Sequence, residues 1–263
     1  MSTQPDNPPE NGIAPGHELL HWFNGKLGHS ILAAERSRAS RILPDLFGYH
    51  ILQVGDLADA HLLDSSRINH KIITAQDDNA ETVKFPSLLC KSEALPVSSE
   101  SMDVVVLPHL LEFADNPHQI LRETERVLIG EGHVIILGFN PWSLWGFWRL
   151  LLAWRGQPPW SGHYIGLTRL RDWLTLLDFE IIKTERFYFR PPLENRTIMQ
   201  RLRFMEQLGG YCWTLFGGVY LLVAKKRVIS LTPIKLQWQK RRRMIASGLV
   251  EPSARNTSIQ NDC

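Results

Sequence analysis

The chain has 263 residues and a formal net charge of +2, so as a whole it is no electrostatic nucleic-acid binder. Hydrophobic residues make up 44% and charged residues 21%, which excludes a disordered or fibrous chain and suits a globular core with a solvated surface. The length fits one α/β domain with extensions better than two full domains. Cys90, Cys212 and Cys263 show no metal-ligand spacing, and the opening MSTQPDNPPENG is polar and Pro-rich rather than secretory. A cytoplasmic protein without a bound metal is expected.

Residues 1–15 read as a disordered N-terminus and residues 16–47 as a helical extension. Leu19, Leu20, Phe23, Leu27, Ile31 and Leu32 lie near helical spacing there, with a break at Pro44. From residue 48 short apolar runs alternate with amphipathic segments. His50–Val54, Lys71–Ala75, Ser87–Cys90, Asp103–Leu107 and His133–Leu137 are strand candidates. Between the last two, Pro117–Ile129 reads as a helix with Ile120, Leu121, Thr124, Val127 and Leu128 on its buried stripe. This alternation predicts an α/β domain over 48–226 with a parallel sheet covered on both faces. An aromatic insert spans 139–167, a helix Thr168–Leu177 with Thr168 as N-cap follows, and strands are predicted at Glu180–Phe189 and Gly218–Lys225. Residues 227–263 read as a basic, disordered tail. Residues 225–263 hold nine Lys/Arg against two acids. The apolar stretch Leu208–Ala224 is near spanning length, but the pairs Gly209-Gly210 and Gly217-Gly218 break it into a turn and a strand, so no transmembrane helix is expected.

The stretch Cys90–Asn140 resembles the class I S-adenosylmethionine-dependent methyltransferases, in the small-molecule branch called type 11. The resemblance runs through Cys90-Lys-Ser-Glu-Ala-Leu-Pro-Val97, Ser101-Met-Asp-Val-Val-Val-Leu107, His109-Leu-Leu-Glu-Phe113, Pro117-His-Gln-Ile-Leu-Arg-Glu123, Arg126-Val-Leu128 and Gly130-Glu-Gly-His-Val-Ile-Ile136. It implies a Rossmann-like, seven-stranded, mostly parallel sheet of order 3-2-1-4-5-7-6 with strand 7 antiparallel. It also implies S-adenosylmethionine as cofactor, bound where the strand order reverses.

The loop after the first strand reads Gln53-Val-Gly55-Asp56-Leu57-Ala-Asp59 against the family's acidic-apolar-Gly-x-Gly-x-Gly. Gly55 is kept, which matters where backbone approaches ligand closely. Gln53 replaces the acid, removing a negative charge that favours the cofactor's ammonium. Leu57 adds bulk beside its methionine end, and Asp56 and Asp59 bring negative charge near its carboxylate. A lost charge-assisted hydrogen bond costs about 1.5–3 kcal/mol. Gln76 stands at the expected ribose contact, with Asp77 beside it. Ser92, Glu93 and Ala94 form the adenine-side turn, with Lys91 where the family favours an acid, and Leu107 ends the strand facing the cofactor.

His109, just past the fourth strand, has two readings. It is a general base or orienting group facing the pocket, or a strand-end histidine bonded to backbone or water. Glu112 is expected to cap or support the next helix. Trp142, Trp145 and Trp148 recur at helical spacing, as an aromatic lid or interfacial helix for a hydrophobic substrate, or as an amphipathic helix packed on the domain; the packed reading is preferred. Lys240-Arg-Arg-Arg243 offers weak nucleic-acid or membrane-surface contact. The reading taken first is an S-adenosylmethionine-dependent methyltransferase acting on a small or lipophilic acceptor. The alternative is a non-catalytic binding or regulatory protein on the same fold, and a nucleic-acid methyltransferase is a third, weaker reading.

Overall fold

Seven strands form one sheet of order β3-β2-β1-β4-β5-β7-β6 in the computed structural model, which describes residues 15–55, 60–75, 87–152, 154, 157–192 and 216–228. They are β1 His50–Val54, β2 His70–Ala75, β3 Ser87–Leu89, β4 Met102–Pro108, β5 Leu128–Phe139, β6 Phe179–Phe187 and β7 Val219–Lys226. The first five run parallel, and β7 is antiparallel to both β5 and β6, the topology that the resemblance implies. The strand expected at the end of the apolar stretch Leu208–Ala224 is β7, residues 208–215 lie outside the described residues, and no helix among the described residues is long and apolar enough to cross a membrane.

The central strands are apolar on both faces because both faces are covered. One core joins Ile51, Val104, Val106, Ile135, Leu137 and Leu221 to the N-terminal helices α1 Pro15–Phe23 and α2 Lys26–Ile42. The other joins Leu52, Val105, Leu107, Val134 and Leu222 to α3 Pro117–Val127 and α5 Leu167–Leu176. Between β5 and α5 the aromatic segment forms α4 Leu144–Leu152. Because α1 and α2 are part of the first core, burial of Leu27, Ile31, Leu32 and Ile42 contributes about 1.5–3 kcal/mol each.

Local differences have local causes. The extension breaks first at Asn24-Gly25, between α1 and α2, and again at Leu43–Asp45, a single 3-10 turn containing Pro44. β5 starts five residues before the predicted His133, because Leu128 already pairs with Met102 and the Gly130-Glu-Gly132 turn is absorbed as an irregularity before Val104 meets His133. Gly166, not Thr168, occupies the N-cap of α5, and it makes no side-chain cap. Asn116 caps α3 by accepting from the Gln119 N–H, so Glu112 is free for another partner.

Candidate functional site

The ends of β1, β2 and β4 converge on one edge of the sheet. Gly55 follows β1 with φ +94, a conformation that side-chain-bearing residues rarely adopt. Among the described residues, a Cβ there would meet Leu110 Cδ1 at 3.7 Å, an ordinary van der Waals contact. Its N–H donates to Thr74 Oγ1 at 3.0 Å, which fixes the first turn against β2. Gln53 is buried, and its Nε2 donates to the Gly55 carbonyl at 3.1 Å. Its Oε1 is buried with no hydrogen-bond partner. Exchanging the amide atoms would set oxygen against the Gly55 carbonyl, so the orientation is chemically forced. The replacement of the acid by Gln53 thus leaves a buried acceptor beside the only glycine retained in the loop.

The turn after β3 is braced from below. Cys90 N–H donates to the Ala75 carbonyl and Ala94 N–H to the Lys91 carbonyl. Ser92 is buried, Glu93 half-buried and Ala94 exposed. Arg126 of α3 donates to the carbonyls of Leu95 and Val97 and pairs with Glu123 at 2.8 Å, while Glu123 accepts from the Leu95 N–H. That arginine holds the Glu123 carboxyl below its usual range, more than partial burial raises it. Leu107 packs in the second core, one strand from Gln53. Gly55, Ser92, Glu93, Ala94 and Leu107 therefore lie along one edge. Asp56, Leu57, Asp59, Gln76 and Asp77 lie outside the described residues.

His109 does not face an open pocket. Its backbone is left-handed at φ 48 and its side chain is fully buried. Nε2 lies 2.6 Å from Glu35 Oε1, and Nδ1 lies 3.2 Å from Glu112 Oε2. The ring is wedged between Phe23 and Phe139, with centroids 5.3 and 4.3 Å away. Both ring nitrogens lie within hydrogen-bond reach of carboxyl oxygens, an arrangement that favours an imidazolium donating to both. Burial alone would strip the proton; the charges and hydrogen bonds of Glu35 and Glu112 outweigh it and hold the pKa up at about 10. Glu112 also accepts from the Phe139 N–H, and burial raises its own pKa. The reason for the inward turn is Glu35, which the sequence reading missed. It falls on the buried stripe Leu27, Ile31, Glu35, Ala39 of α2, where an acid at an apolar position signals a buried partner.

Beyond Glu112, a cleft of about 690 Å3 opens between the loop after β4, the segment 161–166 and the first turns of α3 and α5. Its walls carry Phe113, Tyr164 and Trp173, with Arg149, Arg169, His118 and His163 among them. Of the tryptophans at helical spacing only Trp145 is buried, stacked on Phe139 at 5.7 Å and on Trp160 at 5.6 Å. Trp142, Phe147 and Leu150 of the same region face solvent, so α4 packs by one residue and leaves an apolar outer face. No cluster of metal-binding side chains occurs among the described residues.

Residues 50–136 match the sequence profile of a methyltransferase domain. The uncharacterized protein YafS of Escherichia coli (strain K12) is 32% identical over 199 residues, covering 75% of this chain and 77% of that one. An S-adenosylmethionine-dependent methyltransferase of Thermotoga maritima superposes with a TM-score of 0.57 at 15% identity, over 80% of this chain and 99% of that one. SpnF, a [4+2]-cyclase, superposes at 0.53 and 15% identity, over 87% and 100%. At such identities the superpositions show the fold. The chain belongs to the class I S-adenosylmethionine-dependent methyltransferase family, in its type 11 branch, and the cofactor of this family is S-adenosylmethionine. The edge fits that group. Gly55 has the positive φ that a close backbone approach uses, and the unpartnered Gln53 Oε1 has the chemistry to accept from an ammonium.

Proposed function

We propose that this protein transfers a methyl group from S-adenosylmethionine to a small acceptor held in the cleft beside α3 and α5. The supporting observation is that the cleft begins at Leu111 and Glu112, next along the chain from Leu110, which lies 3.7 Å from where a Cβ on Gly55 would stand. The cleft's size is that of a small-molecule site. When bound, the cofactor supplies a methyl group made electrophilic by its sulfonium. The chain's own part is placement. Gln53 Oε1 would accept from the ammonium end, the turn at Ser92, Glu93 and Ala94 would cover the base, and Leu107 and Leu110 would floor the space between. By the family pattern Gln76 or Asp77 would meet the ribose hydroxyls, and Asp56 and Leu57 would border the methionine end. Phe113, Tyr164 and Trp173 orient the acceptor and exclude water, because alignment supplies much of the rate in such a transfer.

His109 has no free lone pair while both nitrogens donate, so in this reading it positions rather than catalyses. It ties α2, the loop after β4 and the end of β5 together beneath the cleft. The test is formation of S-adenosylhomocysteine when the protein meets a panel of small acceptors. Turnover with any of them supports the reading, and absence of cofactor binding removes it. The non-catalytic reading is supported by Leu57 and Asp59 standing at glycine positions. The fold's use by a cyclase also leaves methyl transfer undecided by architecture alone. Cofactor binding without turnover across the panel favours that reading.

A further inference from the structure

The polar groups of the cleft are unevenly satisfied. Tyr164 is 9% exposed, and its hydroxyl is buried with no hydrogen-bond partner. Arg149 Nε is also buried without a partner, and its guanidinium lies 5.2 Å from the Tyr164 ring. Arg149 and Arg169 form no salt bridge among the described residues; Arg169 instead lies 5.0 Å over Trp173. Unmatched buried donors cost stability, so two of them beside one cleft suit a ligand that brings an acceptor.

Arg149 and Arg169 place positive charge on the cleft wall, which also carries the acids Glu112 and Asp115. α5 opens into the cleft at Gly166 without a side-chain cap, leaving first-turn N–H groups pointing outward. His118, on the first turn of α3, stacks on Trp173 at 4.0 Å, and His163 stands on the opposite loop. Two carboxylates line the space. Glu112 is already engaged by His109 and the Phe139 N–H, and Asp115 is the other acid of the wall. Burial keeps the Tyr164 phenol protonated well above its usual range, which preserves it as a donor.

We propose that the cleft recognises its ligand through an anionic group, a carboxylate or a phosphate, seated between Arg149, the Tyr164 hydroxyl and the N-terminal end of α5. Phe113, Ile165 and Trp173 hold the apolar remainder. The ligand's role as methyl acceptor rests on the reading above, whereas its binding does not.

The test uses the full chain without cofactor and follows the 19F line width of 4-fluorobenzoate against neutral 4-fluorobenzamide. The benzoate is expected to broaden and the amide not. Inorganic phosphate and excess unlabelled benzoate are the competing arms: displacement by phosphate assigns the anion as phosphate, and displacement by benzoate alone assigns a carboxylate. Arg149→Met is expected to weaken the benzoate about ten- to a hundredfold, as loss of a charge-assisted hydrogen bond does. Should Arg149→Met fail to fold, Arg169→Met on the exposed first turn of α5 and Tyr164→Phe carry the same comparison, each expected to weaken binding severalfold. Equal broadening of acid and amide, no broadening of either, or unchanged affinity in the folded variants would overturn the proposal. Anion binding that persists while S-adenosylhomocysteine fails to bind would retain the site and remove the methyltransferase reading instead.

Discussion

At the scale of residues, the group that departs furthest from ordinary behaviour is His109. A buried imidazolium between two carboxylates is stable only while both partners stay, and removing one from such a buried pair costs about 3–5 kcal/mol. Glu35→Gln is therefore expected to lower unfolding free energy by about that amount in urea titrations. The pH dependence has a definite sign. Unfolded histidine titrates near 6.5 and the folded group at about 10, so the stabilisation is complete below the first value and is lost as pH rises through the second. In Glu35→Gln this alkaline loss should shrink and move to lower pH; an identical profile would show that the pair is not the source. Gly55 yields a separate expectation. Gly55→Ala forces a side chain to φ +94, costing more than about 1 kcal/mol in stability, and weakens S-adenosylhomocysteine binding in calorimetry. The retained glycine was legible in the sequence, because its role depends on local backbone. The Glu35–His109 pair was not, since its members are 74 residues apart. Only the acid on the stripe of Leu27, Ile31 and Ala39 hinted at it.

Among the elements, α3 and α4 show how one helix serves a site and another advertises a surface. α3 carries Glu123 and Arg126 one turn apart, and together they clamp the turn that would cover the adenine. Arg126→Ala is expected to weaken cofactor binding about tenfold, as loss of a charge-assisted hydrogen bond does, with only a small drop in melting temperature because the pair is half-buried at the surface rather than in the core. A large melting shift with unaltered affinity would make the clamp structural. In α4 the contrast is between Trp145, fully buried, and Trp142, Phe147 and Leu150, each more than half exposed. Trp145→Ala should cost about 3–5 kcal/mol, and serine at any of the other three within about 0.5 kcal/mol, in denaturant unfolding. Most elements lie within a residue or two of where apolar runs predict them, since buried parallel strands are continuous and apolar. Thr168 misled as a cap because capping depends on the entry of the chain into the helix, and Gly166 sets that entry. The tryptophan spacing announced a helix without revealing which face is covered, because apolar residues occupy nearly every position of α4.

For the whole molecule, strand order followed from resemblance rather than from periodicity, which fixes which segments are strands but not their neighbours. The sheet then explains why the C-terminal edge is the site: β1 and β4 are paired there, yet their connections leave in opposite directions. The N-terminal helices pack over that same sheet through Phe23, Ile31 and Glu35. This edge, with one glycine and an unpartnered glutamine oxygen, is proposed still to hold S-adenosylmethionine. Calorimetric titration of the full chain with S-adenosylhomocysteine tests it most directly. Saturable one-to-one binding in the micromolar range, weakened by Gly55→Ala, is predicted. No heat and no rise in melting temperature at millimolar ligand would contradict it.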